Sequence, residues 1–342
     1  VDTLIYSPTE IKELRIYDVF HNDEGKLVVI IPIVKNNIPP TIKSKNIIFN
    51  LKVCSHKRTW IFISEQTSSF EQSIEITIND KIIKLNVSKY PEFKDEIIMS
   101  TLVLNEDNYI RQWISFHLRL GVTRFIVYDN SSGADGISYR SVEKQSNLKK
   151  VLEDYINKNI VVLIDWPYPK RLKNSGISGQ TTQQNHSLYA FRNCKYIGLF
   201  DVDEYVNIKI ENSIDRFING IIKTNELDLT NIGSFKLSSK NFYNPDKMPT
   251  HGEEFFKIYN CDKIVDKGKN FVIPKNVETY AVHEITNGKE MYSVDPKLGY
   301  INHYYFLNKS WCRTNAKGRP KHNTPTSHQR TKYTDDSIMR LI

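Results

Sequence analysis

Residues 195–206 read KYIGLFDVDEYV. An apolar run, Tyr196 to Phe200, stops abruptly at Asp201-Val202-Asp203-Glu204. A short apolar run of this kind is what a strand buried on both faces looks like. Three carboxylates in four residues repel one another and lose solvation when buried; a cation bridging a nucleotide diphosphate would relieve that repulsion. The strand is expected to carry these residues, and alternate side chains on a strand point the same way. Asp201 and Asp203 would then share one ligand while Val202 packs behind. Hard oxygen donors at a sheet edge suit Mg²⁺ or Mn²⁺, which keep open positions for phosphate oxygens. A bare Asp-x-Asp is more often a solvated turn, but its place on a fourth α/β strand, with other carboxylates at the same edge, favours the metal reading here.

Working back toward the N-terminus, the same rhythm repeats. "EIIMSTLVL" reads as a buried strand, followed by a helix beginning near Glu106 in "EDNYIRQWISFHLRLG". Ile110, Trp113, Ile114, His117 and Leu120 fall near one face of that helix, and Gly121 closes it. Then come a strand, "RFIVYDN", a helix, "SVEKQSNLKKVLEDYINKN", a strand, "IVVLIDW", and a helix, "TTQQNHSLYAFRNC", before the opening stretch. Strand-helix alternation predicts an α/β fold with a parallel sheet and right-handed crossovers. Polar residues gather at the C-terminal strand ends: Asn105-Glu106, Asp129-Asn130, Asp165, and Asp201 with Asp203. That edge is where open α/β sheets bind ligands.

Residues 1–93 differ. Six β-branched and aromatic runs, from "LRIYDVF" to "KIIKLNVS", are separated by Asn, Asp, Gly and Pro turn signals. They predict a small N-terminal β-sandwich domain with a hairpin at Asn79-Asp80, and "SKYPEFKDE" reads as a polar hinge. An α/β domain is expected over 94–320 and a loosely held C-terminal tail over 321–342.

Several residues could carry chemistry beside the acidic cluster. Asp129-Asn130 is either an ordinary Asx-type turn or a nucleoside contact. Asn105-Glu106 fits a helix start without any ligand. His303, in "INHYYFLNKS", could complete a metal site with the two aspartates, although a lone His is usually structural. Lys309, Arg313, Lys317 and Arg319 form either a solvated basic face or a clamp for a leaving diphosphate. His283-Glu284 is a further pair.

Composition bounds the rest. With 342 residues the chain is long enough for one large or two ordinary domains. Its 47 Lys and Arg against 39 Asp and Glu give a formal charge of +8, which suits an anionic partner without choosing one. No apolar run is long enough to cross a bilayer and no signal pattern opens the chain, although a segment preceding Val1 could supply one. Cys54, Cys194, Cys261 and Cys312 lack CxxC spacing and read as reduced thiols. A cytoplasmic location in a microbe or virus is expected, with the Golgi lumen as the alternative if an anchor was removed.

Three ordered motifs carry a resemblance. "LVLNEDNYIRQWISFHLRLGVTRFIVYDNSS" is similar to the opening of glycosyltransferase family 92 and its family-2-like bacterial relatives. "FDVDEYV" resembles their central acidic segment, and "HYYFLNKSWCRTNAKGRP" their close. Departures are Leu104, where the family usually has Lys, and Pro320, where Gly often follows. The resemblance covers about residues 96–320, and 235–275 matches poorly. It implies a GT-A type, Rossmann-like nucleotide-sugar transferase domain and a Mn²⁺ or Mg²⁺ cofactor held by Asp203 and Asp201 with His303 nearby. By the same resemblance Asn105, Glu106 and Asp129 would line the nucleoside pocket, and Lys309, Lys317 and Arg319 would neutralise the leaving group. It also implies inversion at the sugar, which needs a carboxylate base; Glu253 and Glu254 are candidates, with Glu284 and Glu204 behind them.

The expected function is therefore a metal-dependent glycosyltransferase, a hexosyltransferase moving galactose or another hexose from a UDP-sugar to a glycan or glycoprotein acceptor, with no nucleic-acid partner. Two other readings compete. A non-catalytic carbohydrate-binding protein could stack sugars on Trp60, Trp166, Tyr168 or Trp311, and a metal-dependent phosphoesterase would want a second acidic cluster.

Overall fold

The computed structural model describes residues 9–11, 14–33, 39–44, 47–54, 59–104, 106–130, 147–166, 178–242, 260–261, 263–304 and 333–341. The N-terminal strands are β1 (Asp18–His21), β2 (Lys26–Pro32), β3 (Phe49–Val53), β4 (Thr59–Thr67), β5 (Ser73–Ile78) and β6 (Lys81–Asn86). One sheet runs β1-β2-β4-β3, flanked at β1 by Ser88–Lys89; a second holds β5, β6 and Ile42–Lys43. The β5–β6 hairpin turns at Asn79 and Asp80, both with positive φ, which Asn and Asp tolerate best among non-glycine residues.

Strand periodicity explains how these sheets pack. In β2, Leu27, Val29 and Ile31 join a cluster with Trp60, Phe62, Ile76 and Leu85 between the two sheets. Val28 and Ile30 point the other way, into a second cluster with Tyr128, Ile164, Trp166 and Leu188 from the rest of the chain. Strand β2 is therefore buried on both faces. The expected polar hinge at 88–96 is also anchored: Phe93 stacks on Phe191 at 5.6 Å, and the Tyr90 hydroxyl donates to Asp18 at 2.6 Å.

Apart from the hairpin at 277–288, a separate two-stranded sheet, most of the remaining strands form one large sheet. Its parallel part comprises β7 (Ile97–Val103), β8 (Arg124–Asp129), β9 (Val161–Asp165) and β10 (Tyr196–Leu199), in the order β9-β8-β7-β10. Helix α1 (Asp107–Arg119) connects β7 to β8, and α2 (Ser178–Ala190) precedes β10. In β7, Ile97, Met99 and Val103 face one core cluster, while Ile98 and Leu102 face the other. Both faces are covered, which is why the strand is uniformly apolar.

Beyond β10 the sheet is mixed, with antiparallel and parallel pairs. After β11 (Glu204–Ile208) and α3 (Ile214–Thr224), β12 (Ile232–Phe242) pairs with β13 (Val265–Val272), which closes against β10. A hairpin follows, β14 (Val277–Ala281) and β15 (Glu284–Gly288), then β16 (Gly299–Tyr304), paired with both β11 and β12. Residues 333–341, within the stretch expected as a tail, pair at Tyr333–Thr334 with Asn260–Cys261 and bury Ile338 and Leu341 in the core. Asp335 fastens this segment, bonded to Lys240 at 2.5 Å and to Tyr300.

Helix α2 runs against expectation for a buried helix. Gln180, Thr181, Thr182, Gln183, Gln184, Asn185, His186 and Ser187 are all buried, although every one is polar. Such groups are costly to bury unless bonded, and their partners come from every side. His186 reaches Asp18 of β1 at 2.8 Å and the Tyr128 hydroxyl at 2.7 Å. Thr182 bonds Thr59 of β4 at 2.8 Å, Gln183 donates to Ser100 at 2.7 Å, and Asn185 donates to the Tyr280 carbonyl at 2.8 Å.

Among the described residues no helix is long and apolar enough to cross a membrane. Cys54, Cys194 and Cys261 are buried free thiols; Cys312 lies outside the described residues.

Candidate functional site

The acidic stretch sits at the C-terminal end of the fourth parallel strand, but β10 stops at Leu199, and Val202 and Asp203 lie in a turn. Strand alternation therefore does not orient Asp201 and Asp203, although Val202 does pack into the core. The turn closes on itself. Glu204 donates its N–H to the Asp201 carbonyl at 3.1 Å, and the Glu204 carboxylate accepts from the Asp201 N–H at 2.9 Å. Glu204 thus points inward, almost fully buried, while Asp201 and Asp203 remain partly exposed.

The positive charge facing these carboxylates belongs to Lys269 of β13. Its ammonium is 2.7 Å from Asp201 Oδ2 and 3.6 Å from Glu204 Oε2, and its side chain is 1 % exposed. Asp201 Oδ1 accepts from the Gln180 side-chain amide, in the first turn of α2, at 3.1 Å. Asp203 instead meets His303, Nε2 to Oδ2 at 3.4 Å. Strand pairing delivers that imidazole: β16 lies antiparallel to β11 with Glu204 opposite His303, and the Tyr304 N–H donates to the Asp203 carbonyl at 2.8 Å.

Charge and burial oppose each other throughout the cluster. Burial pushes the Glu204 carboxyl up to about 7, with Lys269 pulling it down and Asp201 pushing it up. For Lys269, burial disfavours the ammonium, yet Asp201 and Glu204 together raise its pKa above the ordinary lysine range. For His303, burial likewise acts downward, and Asp203 overcomes it to carry the imidazole up to about 9.

Helix α1 holds the turn from behind. The Trp113 indole N–H donates to the Glu204 carbonyl at 2.9 Å, and the Val206 N–H donates to His117 Nε2 at 3.3 Å. His117 Nδ1 lies 2.8 Å from the Trp113 carbonyl. These two contacts assign the neutral tautomer with the proton on Nδ1. Burial drives the His117 pKa down to about 3, against a smaller upward effect of the Trp113 carbonyl.

The other expected residues divide into three groups. Glu106 and Asp129 do lie at the same sheet edge: Glu106 stands at the N-terminal boundary of α1 without a side-chain capping bond, and Asp129 ends β8 opposite Asp165 of β9. Asn130 ties these ends together by donating to the Trp166 carbonyl at 2.8 Å. Glu284 is exposed on the β14–β15 hairpin, next to His283, whose Nδ1 is 2.9 Å from the Gly268 carbonyl. The hairpin tip holds Val282 at φ 46, a strained conformation for a β-branched residue. Asn105, Glu253, Glu254, Lys309, Arg313, Lys317 and Arg319 lie outside the described residues.

Lys269 and Gln180 are the contacts that sequence reasoning missed. The one available signal was Gly268 between two lysines in a strand pattern, which marks a bulge or close backbone approach. A Cβ at Gly268 would sit 1.6 Å from the Leu237 carbonyl oxygen, and the β12–β13 register shifts between Leu237 and Ser239.

Two rival readings lose ground here. Trp60 and Trp166, proposed sugar platforms, are at most 5 % exposed and belong to the core; Tyr168 and Trp311 lie outside the described residues. Among the described residues no three His, Cys, Asp or Glu side chains converge as a metal cage, so the two-metal cluster of a phosphoesterase is not present there.

Comparison with known proteins follows the same line. The family model of glycosyltransferase family 92 matches residues 98–340. A glycosyltransferase family 92 protein of Ricinus communis is 26% identical over 234 residues, covering 66% of this chain and 37% of the relative. One of Arabidopsis thaliana is 24% identical over 239 residues with the same coverage, and one of Oryza sativa is 30% identical over 107 residues. The chain thus spans 37% of the length of the first two relatives it matches.

Proposed function

The chain belongs to glycosyltransferase family 92, and on that premise we propose that it moves a hexose, galactose in the first instance, from a UDP-sugar to a glycan acceptor with inversion. In this reading residues 94–320 form a GT-A type catalytic domain and the acidic turn holds the donor. A single observation carries it: a closed acidic turn stands at the end of the fourth parallel strand, with His303 brought to it by β16 and Lys269 buried behind it.

No three of the described His, Cys, Asp or Glu side chains converge as a cage, so the chain would offer Mg²⁺ or Mn²⁺ only a partial shell at Asp203 and His303, completed by water and phosphate oxygens. Asp203 and His303 would hold it, with Asp201 alongside. When bound, such an ion neutralises charge developing on the diphosphate.

The rest is the work of the chain itself. Transfer forms a bond between the acceptor oxygen and the sugar anomeric carbon as the bond to the diphosphate breaks; the electron pair leaves with the nucleoside diphosphate. The acceptor proton goes to a carboxylate base, for which Glu253, Glu254 and Glu284 are the candidates. Glu106 and Asp129, at the edge of β7 and β8, would receive the nucleoside. Lys309, Lys317 and Arg319 would stabilise the leaving diphosphate.

The test is the melting temperature of the purified chain with UDP, GDP, CMP or ADP, each with Mn²⁺ or EDTA, since a ligand that binds only the folded state raises it. The expected result is a shift with UDP that requires Mn²⁺ and disappears in Asp203→Ala. No shift with any nucleotide would overturn the reading.

A further inference from the structure

We propose that the acceptor proton goes to His283 Nε2, at the tip of the β14–β15 hairpin, rather than to one of the carboxylates named above. The inference rests on the donor-site reading and replaces only its choice of base.

The tip is gripped from two elements. His283 Nδ1 lies 2.9 Å from the Gly268 carbonyl, and the His283 carbonyl accepts from the Asn270 side-chain amide at 2.9 Å, both on β13. The preceding Val282 donates its N–H to the Gln184 side chain of helix α2 at 2.9 Å. Between these anchors Val282 stands at φ 46. Such a conformation is costly for a β-branched residue and persists only where the surroundings over-determine it. What it achieves here is the seating of the imidazole against β13. Gly268 in turn has no room for a side chain against the Leu237 carbonyl, so the carbonyl that receives the imidazole is itself fixed in place.

The ring is arranged as a base. A carbonyl only accepts, so Nδ1 carries the proton, and on the neutral ring Nε2 keeps its lone pair. Among the described residues nothing bonds Nε2, and His283 is exposed at the tip. The charged groups acting on the ring are Lys269 and Lys267 of β13 and Asp201 of the acidic turn, beside its chain neighbour Glu284. Desolvation of the ring edge against β13 lowers its pKa most, Lys269 next and Lys267 in the same sense; the Gly268 carbonyl and Asp201 act upward without cancelling them. The imidazole is therefore neutral at pH 7, as a proton acceptor must be. Lys269 also joins this tip to the donor turn, because its ammonium is 2.7 Å from Asp201.

The step balances. The acceptor oxygen bonds to the anomeric carbon as that carbon's bond to the diphosphate breaks, and the electron pair leaves with the nucleoside diphosphate. The acceptor proton passes to His283 Nε2, giving an imidazolium still bonded through Nδ1 to Gly268. The ammonium of Lys269 disfavours that cation, so its proton returns readily to water.

The experiment follows UDP release from UDP-galactose with Mn²⁺, to water and to galactobiose, in the natural chain and in His283→Asn. The Asn amide can keep the bond to the Gly268 carbonyl but cannot take the proton. Turnover should fall about 100-fold or more, while the KM for UDP-galactose and the thermal shift with UDP and Mn²⁺ stay within about twofold of the natural chain. In the natural chain kcat should fall toward acid with an inflection below about 6.5, and that limb should vanish in His283→Asn. Free imidazole should restore part of the turnover of His283→Ala.

Turnover within about threefold of the natural chain in His283→Asn, or loss of donor binding together with turnover, would overturn the proposal. If His283→Asn does not fold, judged by circular dichroism, carbethoxylation of the natural chain decides. Turnover should then fall in step with modification of His283 located by mass spectrometry, and turnover that survives it would overturn the proposal. Stabilisation by UDP and Mn²⁺ without any UDP release would likewise overturn the proposal and leave the donor site in place. Absence of that stabilisation in the natural chain would overturn the donor-site reading itself.

Discussion

Trp113 donates its indole N–H to the backbone carbonyl of Glu204 at 2.9 Å, joining the first helix of the α/β region to the residue that closes the acidic turn. The contact explains why an aromatic N–H donor, rather than any large apolar side chain, stands at this position. It also separates shape from hydrogen bonding as contributions to the site.

Trp113→Phe keeps most of the buried ring and removes the donor. The carbonyl of Glu204 is then left buried without this partner, which costs about 1–3 kcal/mol. Urea denaturation should show a lower midpoint with an unchanged slope. The affinity for UDP with Mn²⁺ should fall as well, because the carbonyl belongs to the turn. An unchanged midpoint would show that the bond contributes nothing.

His117 makes stability depend on pH in a definite direction. Its folded pKa is about 3, while an unfolded imidazole titrates near 6.5. Above about 6.5 neither state holds the proton. As pH falls below that value the unfolded chain takes up a proton that the folded chain refuses, so stability declines toward pH 3. The slope contributed by this one group is up to about 1.4 kcal/mol per pH unit. Denaturation at pH 7, 6 and 5 should show a shallower acid slope in His117→Gln than in the natural chain.

Gly268→Ala should be among the most damaging small substitutions in the chain. The added methyl would sit 1.6 Å from the Leu237 carbonyl oxygen, a backbone atom that cannot rotate away. A cost of about 3 kcal/mol or more is expected, at or above the upper end of ordinary overpacking. Thermal melting should register it, and residual folded protein should bind Mn²⁺ with altered affinity, since Lys269 is the next residue.

Asp18→Ala tests the junction between the N-terminal sheets and the rest. Asp18 is 1 % exposed and accepts hydrogen bonds from Ser88, Tyr90 and the Val19 N–H, with His186 at 2.8 Å. Removing it strands several buried polar groups, at a cost of about 3–5 kcal/mol. Calorimetry should show one transition moved to lower temperature. Two separated transitions would show that the N-terminal strands melt independently.

Much of the fold was legible because its signals are local. The apolar runs of β7, β8, β9 and β10 are short and uniform, the face of α1 repeats at Ile110, Trp113, Ile114 and His117, and Asn79-Asp80 marks a hairpin. The acidic turn could be found for the same reason: three carboxylates interrupt an apolar run. What local pattern cannot carry is partnership at long range. Lys269 stands 68 residues from Asp201 in the chain, and its neighbours Lys267 and Lys263 look no different in sequence. His303 was a candidate only by its motif, and its place opposite Glu204 is a property of strand register. Helix α2 misleads in the opposite sense. A run of Gln, Thr, Asn, His and Ser shows no apolar face, yet these side chains are buried, and Thr182, Gln183, Asn185 and His186 bond to partners on other elements.

The polar helix α2 has a consequence for how the molecule can vary. A greasy interface tolerates sliding, because one methyl group substitutes for another. An interface of amides and hydroxyls behaves more like the cuts of a key, since a displacement of one residue would leave Thr182, Asn185 and His186 facing groups that cannot answer them. The N-terminal sheets and the acidic turn are therefore held in one orientation by matched chemistry. Homologous sheets grafted in their place would need to bring the counterparts of Asp18 and Thr59 with them.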